Sequence, residues 1–270
     1  MIELAPSQVT PELRALFRRQ KHTFRRGFAV LDGVSGGRIL SDDPTSPNWG
    51  AVHELSSDGS LFLGGALDGD LVARIIQFLR RERMLTVGLM PNDPLAVLLP
   101  PNASAEGVDF DFEDRESAVA LEPRSQAPPG LELARIDSEL LPRCGWRPWM
   151  SVSNESALKT GLGYCLLDGD RVVAEAFAGP IVAGTLEMAT ITHEAYRRRG
   201  LTTIVSARTI LECERLGHQT WWNTSLNNVA SARIARSLGY RTEQRYATRS
   251  WSRSTAPHDL LSKRISTTLH

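Results

Sequence analysis

The chain has 270 residues, and its 31 Lys plus Arg balance its 31 Asp plus Glu, so the formal net charge is zero. This balance argues against a dedicated nucleic-acid-binding protein, because such proteins carry a net basic surface. The chain is 41% hydrophobic and 23% charged, which is typical of globular domains and sufficient for a substantial core.

Three cysteines, Cys144, Cys165 and Cys213, are far apart in the sequence. Their odd number and wide spacing match neither a disulfide framework nor a zinc motif, which favours a reducing compartment and no metal. The N-terminal sequence MIELAPSQ lacks the features of a signal peptide, and no apolar run is long enough to cross a bilayer. We therefore expect a cytoplasmic protein without a membrane partner.

The first half alternates strand-like and helix-like segments. Thr10-Pro11-Glu12 is typical of a helix start, with an N-cap, a proline and an acid. Asp68 or Asp70 can cap a later helix with apolar residues at helical spacing. The predicted elements after the first helix are strands at 52–55 and 60–64, a helix at 71–79, a strand at 84–89, a short helix at 92–98, and closing strands at 108–112 and 118–121.

A basic cluster follows the predicted helix start. Its members are Arg14, Arg18, Arg19, Lys21, Arg25 and Arg26. Such a cluster is most often a solvated helix face, and the alternative is a contact with RNA or anionic lipid. Further along, residues 113–130 become polar and rich in proline, so we predict a boundary at 126–130. The predicted domains are 1–127 and 128–270.

The second half begins with a predicted strand at 131–136 and an aromatic loop at 144–150. Trp146 and Trp149 in this loop can plug the domain interface as large apolar anchors. Asp168-Gly169 predicts a tight hairpin turn. The remaining predicted elements are the hairpin strands 163–167 and 171–177, a strand at 185–192, a helix from 201 to 216 that Gly217 ends, a strand at 219–224, a helix at 227–238, a strand at 242–251 and a polar tail at 258–270.

A basic turn, Arg197-Arg198-Arg199-Gly200-Leu201-Thr202, connects the strand at 185–192 to its helix. The first amides of a helix lack intrahelical partners, and the helix dipole adds partial positive charge there. Gly200 permits a positive φ and a close approach of a ligand, while the arginines add forked donors. This arrangement predicts an anion site, best suited to phosphate.

The turn resembles the acyl-CoA signature of the GNAT superfamily of N-acyltransferases, R/Q-x-x-G-x-G/A. Arg197 and Gly200 match, whereas Thr202 replaces the final small residue. The later helix resembles the family pattern N-x-x-A-x-x-L through Asn228, Ser231 and Ile234. The family's terminal L-G-F/Y is matched by Leu238-Gly239-Tyr240.

Within the superfamily, the sequence is most similar to the branch of zwittermicin-type self-resistance acetyltransferases. That branch has E-x-x-x-x-T before the arginine turn and N-x-x-S in the later helix. Glu187 and Thr192 fit the first pattern, and Asn228 and Ser231 fit the second.

The resemblance implies an α/β GNAT fold in the second half, a mixed and mostly antiparallel sheet with flanking helices, that binds acetyl-CoA as a cosubstrate. The preceding strand would pair with the pantetheine arm, and the turn and helix start would hold the pyrophosphate. The resemblance also implies an alternative role for Trp146 and Trp149, whose loop helps to wall the acceptor site in the family. The implied CoA-binding residues are Thr190, Ile191, Thr192, Arg197, Arg198, Arg199, Gly200, Leu201, Thr202, Thr203 and Asn228.

The first half shows the same order of elements and is either a degenerate GNAT-like module or an unrelated, smaller α/β domain. Its equivalent turn spans residues 65–70. Asp68 and Asp70 in this turn would repel a pyrophosphate, so we expect no CoA binding there.

Direct transfer of an acyl group to an amine calls for a general base and for a way to stabilise the departing thiolate. Glu187 and Glu175, both in predicted strands, are the candidate bases. The tyrosine that usually protonates the thiolate in the family is replaced here by Ala235, although Tyr240 and Tyr246 lie nearby in sequence. No cysteine lies in a recognisable arrangement for an acyl-enzyme.

We therefore predict a cytoplasmic acetyl-CoA-dependent N-acetyltransferase that acts on a small amine. The alternative is a CoA-binding regulatory or interaction protein without turnover.

Overall fold

The computed structural model describes residues 1–17, 24–55, 59–81, 84–101, 107–113, 115–145 and 153–252. Its strands are β1 (Ile2–Leu4), β2 (Gly37–Ser41), β3 (Trp49–Glu54), β4 (Leu61–Gly65), β5 (Leu85–Leu89), β6 (Gly107–Phe112), β7 (Glu132–Arg135), β8 (Leu162–Asp168), β9 (Arg171–Ala178), β10 (Thr185–Thr192), β11 (Gln219–Ser225) and β12 (Glu243–Trp251). Its α-helices are α1 (Pro11–Ala15), α2 (Arg25–Leu31), α3 (Gly69–Leu79), α4 (Asn154–Thr160), α5 (Leu201–Arg215) and α6 (Val229–Ser237).

Several sequence-based expectations fall on residues that lie outside the described ranges. They are the possible pocket residues Trp146 and Trp149, the basic residues Arg18, Arg19 and Lys21, and the tail at 258–270.

Within the described ranges, the strands form two sheets. The first is four-stranded and antiparallel, in the order β1-β2-β3-β4. The second is eight-stranded, in the order β5-β12-β6-β11-β10-β9-β8-β7. Its strands pair antiparallel except for β10 and β11, which run parallel. A single parallel bridge, Ser60 to Thr86, connects the region before β4 to β5.

The larger sheet combines strands from both halves of the chain. β6 lies between β11 and β12, and β5 pairs with β12 at the edge of the sheet. The last strand of the first half, β6, therefore pairs with β11 and β12 of the second half, and the last strand of the second half, β12, pairs with β5 and β6 of the first half. The boundary near residue 127 stays a prediction, and the strands on its two sides share one sheet.

Helices cover both faces of the two sheets. In the first half, α3 packs on one face through Val72 and Ile76, while Phe17 and Phe24 pack with Phe62 on the other. In the second half, α5 and α6 cover one face of strands β8 to β11, with Leu201, Val205 and Ile210 of α5 in the core. The opposite face is covered near β8 and β9 by residues around α4 and the Leu141–Arg143 turn. Near β10 and β11, the same face contacts residues of the first half, since Arg25 lies over the Trp221 ring and Arg26 binds Glu187.

The predicted caps and turns are confirmed. The Thr10 hydroxyl accepts from the Leu13 amide at 3.2 Å, and the Asp68 carboxylate accepts from the Leu71 amide at 2.7 Å. Gly169 and Gly217 have φ values of +54° and +81°, as a tight turn and a helix end require. The strand at 185–192 has the predicted bounds.

One predicted strand is wrong, and several elements were not predicted. Residues 118–121 belong to a 3₁₀ helix, Ala118–Arg124, that begins with the Ser117 hydroxyl accepting from the Val119 amide. Ala118 and Leu121 are buried in the core with α5, so helical spacing places both apolar side chains on one side. The elements that were not predicted are β1, β2, α2 and α4.

None of the described helices is both long enough and apolar enough to cross a membrane. In the same part of the chain, no group of three or more His, Cys, Asp or Glu side chains could hold a metal ion.

Candidate functional site

The parallel strands β10 and β11 stop pairing about halfway along their length. Their pairing runs from Thr185 with Gln219 to Met188 with Trp222. Beyond that pair, residues 189–192 continue to pair with β9, whereas residues 223–225 pair with β6. The structure thus opens a split whose two walls are the facing edges of β10 and β11. The predicted pantetheine-binding residues Thr190, Ile191 and Thr192 form one wall.

The basic turn lies at the end of this wall. Arg198 and Gly200 have φ values of +64° and +75°, so the chain reverses sharply before α5. Arg197, Arg198 and Arg199 are exposed. A Cβ atom built on Gly200 would have no neighbour within 4 Å, which leaves open space in front of the helix. The turn therefore presents cations and backbone to solvent.

The start of α5 has no side-chain cap, because its N-cap residue is Gly200. The Leu201 side chain is buried, and the Thr202 hydroxyl bonds the Thr192 hydroxyl at 2.5 Å, so the first turn is anchored to the end of β10. Thr203 is half-buried in the same turn. Free helix amides beside fixed positive charge can bind an anion such as a phosphate.

Two contacts brace the turn from the side of β10. Arg197 Nε donates to the Thr192 carbonyl at 3.4 Å, and the Arg199 guanidinium lies 5.2 Å from the centre of the Tyr196 ring. The Tyr196 hydroxyl in turn donates to Asp168 at 2.6 Å. The arginines are therefore held near the end of the strand.

Asn228 follows the end of β11, as the basic turn follows the end of β10. The carboxyl ends of neighbouring parallel strands lie at the same edge of a sheet, so Asn228 and the turn share that edge. The Asn228 side chain is exposed and accepts from the Ser231 amide at 3.2 Å, which caps α6. Ser231 accepts a hydrogen bond from Trp222 Nε1 at 3.0 Å, so this motif residue braces β11.

Glu187 lies on the sheet face opposite α5, one residue before the last β10–β11 pair. Its carboxylate is bound by both ends of one guanidinium fork, from Arg26 in α2. The adjoining cavity of about 10 Å³ is lined by Ala29, Gly179 and Trp221, among others. Since a water molecule needs about 10–15 Å³, this side of Glu187 is closed to an acceptor.

Glu175 lies on the same face and pairs with Ile191 across β9 and β10. It is 3% exposed, and its Oε2 atom accepts from the Gly145 amide at 3.0 Å. A cavity of about 380 Å³ opens beside it. Other residues lining the cavity include Arg143, Gly145, Asp170, Arg171, Ile191 and His193.

The tyrosines near the end of the chain differ in position. Tyr240 is buried in the core with α5, its hydroxyl bonds Thr220 at 2.7 Å, and burial raises its pKa. Thr220 pairs with Leu186, on the closed side of the split, so Tyr240 does not reach the open part. The Tyr246 hydroxyl accepts from Asn223 Nδ2 at 2.6 Å. Asn223 is the first β11 residue after the last β10–β11 pair, so it lies where the split begins. Ala235 is completely buried in the same core as Tyr240.

The three cysteines are free and buried. Burial is the main factor that raises the pKa of the Cys165 thiol to about 11 and of the Cys213 thiol to about 12, and it raises that of Cys144 as well. Protonated thiols are poor nucleophiles. This agrees with the absence of a recognisable cysteine motif for an acyl-enzyme.

The sequence did not reveal the contribution of the first half to this face. Arg25 and Arg26 were assigned to a basic helix with a solvated face, and this is wrong for both residues. Arg26 pairs with Glu187, and Arg25 donates to Glu113 at 3.0 Å and lies over the Trp221 ring. The partners in the first pair are 161 residues apart, so no local pattern could connect them.

Comparison with known proteins gives consistent results. The family model for GNAT acetyltransferases matches residues 14–248. A Bacillus subtilis (strain 168) protein, the uncharacterized N-acetyltransferase YdfB, is 31% identical over 235 residues, which cover 81% of this chain and 87% of that protein.

Similar solved structures share the fold at low sequence identity. A GCN5-related N-acetyltransferase-like protein from Streptococcus suis 89/1591 has a TM-score of 0.68 at 21% identity, covering 90% of this chain and 99% of its own. A tandem GNAT protein from the clavulanic acid biosynthesis pathway has a TM-score of 0.61 at 10% identity, covering 93% and 96%.

Proposed function

Because the chain belongs to the GNAT acetyltransferase family, we propose that it is an acetyl-CoA-dependent N-acetyltransferase whose acceptor is the amine of a small molecule. The expected GNAT fold, a mixed sheet with flanking helices, is confirmed, and the tandem neighbour supports a two-module arrangement. The similarity to the zwittermicin-resistance branch stays a prediction. So does a cytoplasmic location, which the three free cysteines support.

The observation that carries the proposal is the alignment of the split with the uncapped start of α5. The unpaired edge of residues 190–192 can form backbone hydrogen bonds with the pantetheine arm, as an added strand would. At the end of that edge, the amides of α5 and the exposed arginines can bind the pyrophosphate. The thioester would then lie near the Met188–Trp222 pair, where β10 and β11 separate.

The acceptor would approach on the face opposite α5. This face carries both candidate bases, Glu187 next to the end of the pairing and Glu175 at the cavity of about 380 Å³. The cavity has room for part of a small molecule, whereas the space beside Glu187 does not. We therefore propose that the body of the acceptor occupies the cavity and that its amine points along β10 towards Glu187.

The chemistry of this arrangement is a direct transfer. The acceptor ammonium gives a proton to a carboxylate or to a water bound by it, and the neutral amine attacks the thioester carbonyl carbon. The new C–N bond forms and the C–S bond breaks, and the proton that the nitrogen loses on becoming an amide is taken up by the departing thiolate. Glu187 is the proposed base because it lies next to the Met188–Trp222 pair, which forms the vertex of the split. Glu175 is the alternative, acting on the acceptor in the cavity.

One observation favours a second function, CoA binding without turnover. The position at which the family usually places a tyrosine is Ala235, and both Ala235 and Tyr240 are buried in the core. In that reading, the split would bind acetyl-CoA as a signal.

The two functions are separated by measuring free thiol from acetyl-CoA in the presence of a panel of small amines, alongside thermal unfolding with and without acetyl-CoA. We expect acetyl-CoA to raise the melting temperature and at least one amine to release thiol above the rate of hydrolysis. A melting shift without thiol release from any amine would favour the second function. The absence of any shift would contradict both.

A further inference from the structure

The first half of the chain reaches directly into the face on which the acceptor is proposed to bind. Arg26, in the first turn of α2, donates from Nε to Glu187 Oε2 at 2.8 Å and from Nη2 to Glu187 Oε1 at 2.5 Å. The two side chains are only 12% and 5% exposed. Both carboxylate oxygens are thus held by one rigid fork, which fixes the plane of the carboxylate.

A second contact fixes the same helix turn over the neighbouring strand. Arg25 lies 5.3 Å from the centre of the Trp221 ring and donates to Glu113 at 3.0 Å. Trp221 is the β11 residue that pairs with Glu187. The start of α2 therefore crosses β10 and β11 immediately before they separate.

Fold stability alone does not explain this arrangement. A buried ion pair must overcome the desolvation of both charges, and apolar residues of similar size are often equally stabilising or better. The first turn of α2 also carries two arginines, Arg25 and Arg26, and no acidic residue. The helix dipole disfavours positive charge at this end of a helix. Because apolar residues could hold the two halves together equally well, an ion pair next to the point where β10 and β11 separate suggests a role beyond stability.

We propose that Arg26 is a positioning residue for Glu187 and that the first half of the chain thereby completes the acyl-transfer site of the second half. Arg26 holds both oxygens of the Glu187 carboxylate and so fixes its plane next to the Met188–Trp222 pair, where β10 and β11 separate. This inference rests on the proposed function and assigns a task to the first half, whose own turn is not suited to CoA.

The test is a charge swap within the full-length protein. We compare Arg26→Gln, Glu187→Gln, the double variant Arg26→Glu with Glu187→Arg, and wild type. The measurements are kcat, the KM values for acetyl-CoA and the amine, and the melting temperature. The swap restores an ion pair between the two halves but removes the carboxylate from β10, so stability and turnover respond differently.

We expect Glu187→Gln to lower kcat by about 100-fold, the usual effect of removing a positioned base. Arg26→Gln should lower kcat by about 10-fold or more, because small misplacements of a reacting group have large effects on rate. The KM for acetyl-CoA should change by less than about 3-fold in both, since neither residue lies in the basic turn. The swap should recover melting temperature without recovering kcat.

A matched control is the Arg38–Glu3 pair of the first sheet. Arg38 binds Glu3 through the same fork, with hydrogen bonds of 2.8 Å and 2.7 Å. Arg38→Gln should lower the melting temperature without changing kcat. If Arg26→Gln does not fold, Arg26→Lys takes its place, because lysine keeps the charge but offers a point charge instead of a planar fork. Its kcat should lie between those of wild type and Glu187→Gln.

The outcomes are distinct. The inference is overturned if Arg26→Gln or Arg26→Lys retains wild-type kcat, or if the charge swap restores kcat together with the melting temperature, because the pair would then be a structural link only. If wild type itself acetylates no amine while still binding acetyl-CoA, the proposed function fails and the inference falls with it. Wild-type turnover with unaffected variants refutes the inference alone.

Discussion

The two halves of the chain each contain a strand that leads into a helix through a glycine-containing turn, yet the two turns differ in charge and in how the helix begins. At the start of α3, Asp68 caps the helix with its own carboxylate, and Asp70 adds a second negative charge in the first turn. At the start of α5, Gly200 provides no cap, and three exposed arginines precede it. One helix start is capped by a side chain of the same helix turn, whereas the other has no side-chain cap and lies next to exposed cations.

The turns before α3 and α5 also differ in the free space around their glycines. A Cβ built on Gly65, at the end of β4, would lie 2.3 Å from the Asn48 carbonyl oxygen, and one on Gly64 would lie 2.7 Å from the Leu16 carbonyl oxygen. The same atom on Gly200 would have no neighbour within 4 Å. The glycines of the first half thus serve close backbone packing, whereas Gly200 preserves open space. A few residues therefore decide whether the turn of this topology is closely packed or leaves open space.

The variant Gly200→Val tests the difference between the two turns most directly. A β-branched residue tolerates a φ of +75° poorly, and its side chain would occupy the space in front of the α5 amides. Backbone strain of this kind costs about 1–3 kcal/mol, whereas loss of two charge-assisted hydrogen bonds at about 1.5–3 kcal/mol each weakens binding by about 100-fold or more. Isothermal titration with acetyl-CoA should detect no binding.

The control is Gly130→Val, since Gly130 has a φ of +84° and equally open surroundings but lies in the linker. Both variants should lose similar melting temperature, and only Gly130→Val should keep the rise in melting temperature caused by acetyl-CoA. A full ligand-induced shift in Gly200→Val would rule out the turn as the CoA site.

A smaller loss of acetyl-CoA affinity is expected from Arg197→Gln. This variant removes one of the three positive charges that distinguish the turn before α5 from the turn before α3. Loss of one charge-assisted hydrogen bond should raise the Kd for acetyl-CoA by about 10–100-fold. Added salt should weaken binding to wild type more than to the variant, because screening acts on the charge that was removed. Arg241→Gln, an exposed residue paired with Glu116, is the control and should leave the Kd unchanged. Equal Kd values for Arg197→Gln and wild type would show that this arginine only braces Thr192.

Local patterns in the sequence predicted the elements that carry the basic turn at 197–202. The strand at 185–192 is short and rich in Thr and Ile, α5 has apolar residues at helical spacing, and Gly217 marks its end. These features depend on neighbours in the sequence, so they can be recognised without the fold. The same holds for the caps at Thr10 and Asp68.

The features that were missed depend on residues distant in sequence. The insertion of β6 between β11 and β12 is a pairing of strands from different halves. The Arg26–Glu187 pair is likewise invisible in any local window, and a basic cluster near a helix start was assigned to solvent instead. The strand predicted at 118–121 is wrong because its two apolar residues pack against α5 as a single helical turn does. Local chemistry thus predicted the elements on both sides of the basic turn, whereas the partners of Glu187 required the fold.

The smallest expected effect comes from the first half, where Asp68→Ala and Asp68→Asn separate the cap from the charge. Asparagine caps a helix about as well as aspartate, so Asp68→Asn should leave the free energy of unfolding nearly unchanged. Asp68→Ala removes the bond to the Leu71 amide and should destabilise the protein by about 1 kcal/mol. Denaturant unfolding of both variants measures this difference.

Neither Asp68 variant should gain a second acetyl-CoA site, because the first half differs from the second in space as well as in charge. Asp70 remains in the first turn of α3, and a Cβ built on Gly65, at the end of β4, would lie 2.3 Å from the Asn48 carbonyl oxygen. Isothermal titration should therefore give one acetyl-CoA per chain for wild type and for both variants. A stoichiometry of two in wild type would contradict the proposed difference between the halves. A stoichiometry of two only in Asp68→Asn would show that a single carboxylate, and not the packing around Gly65, keeps CoA out of the first half.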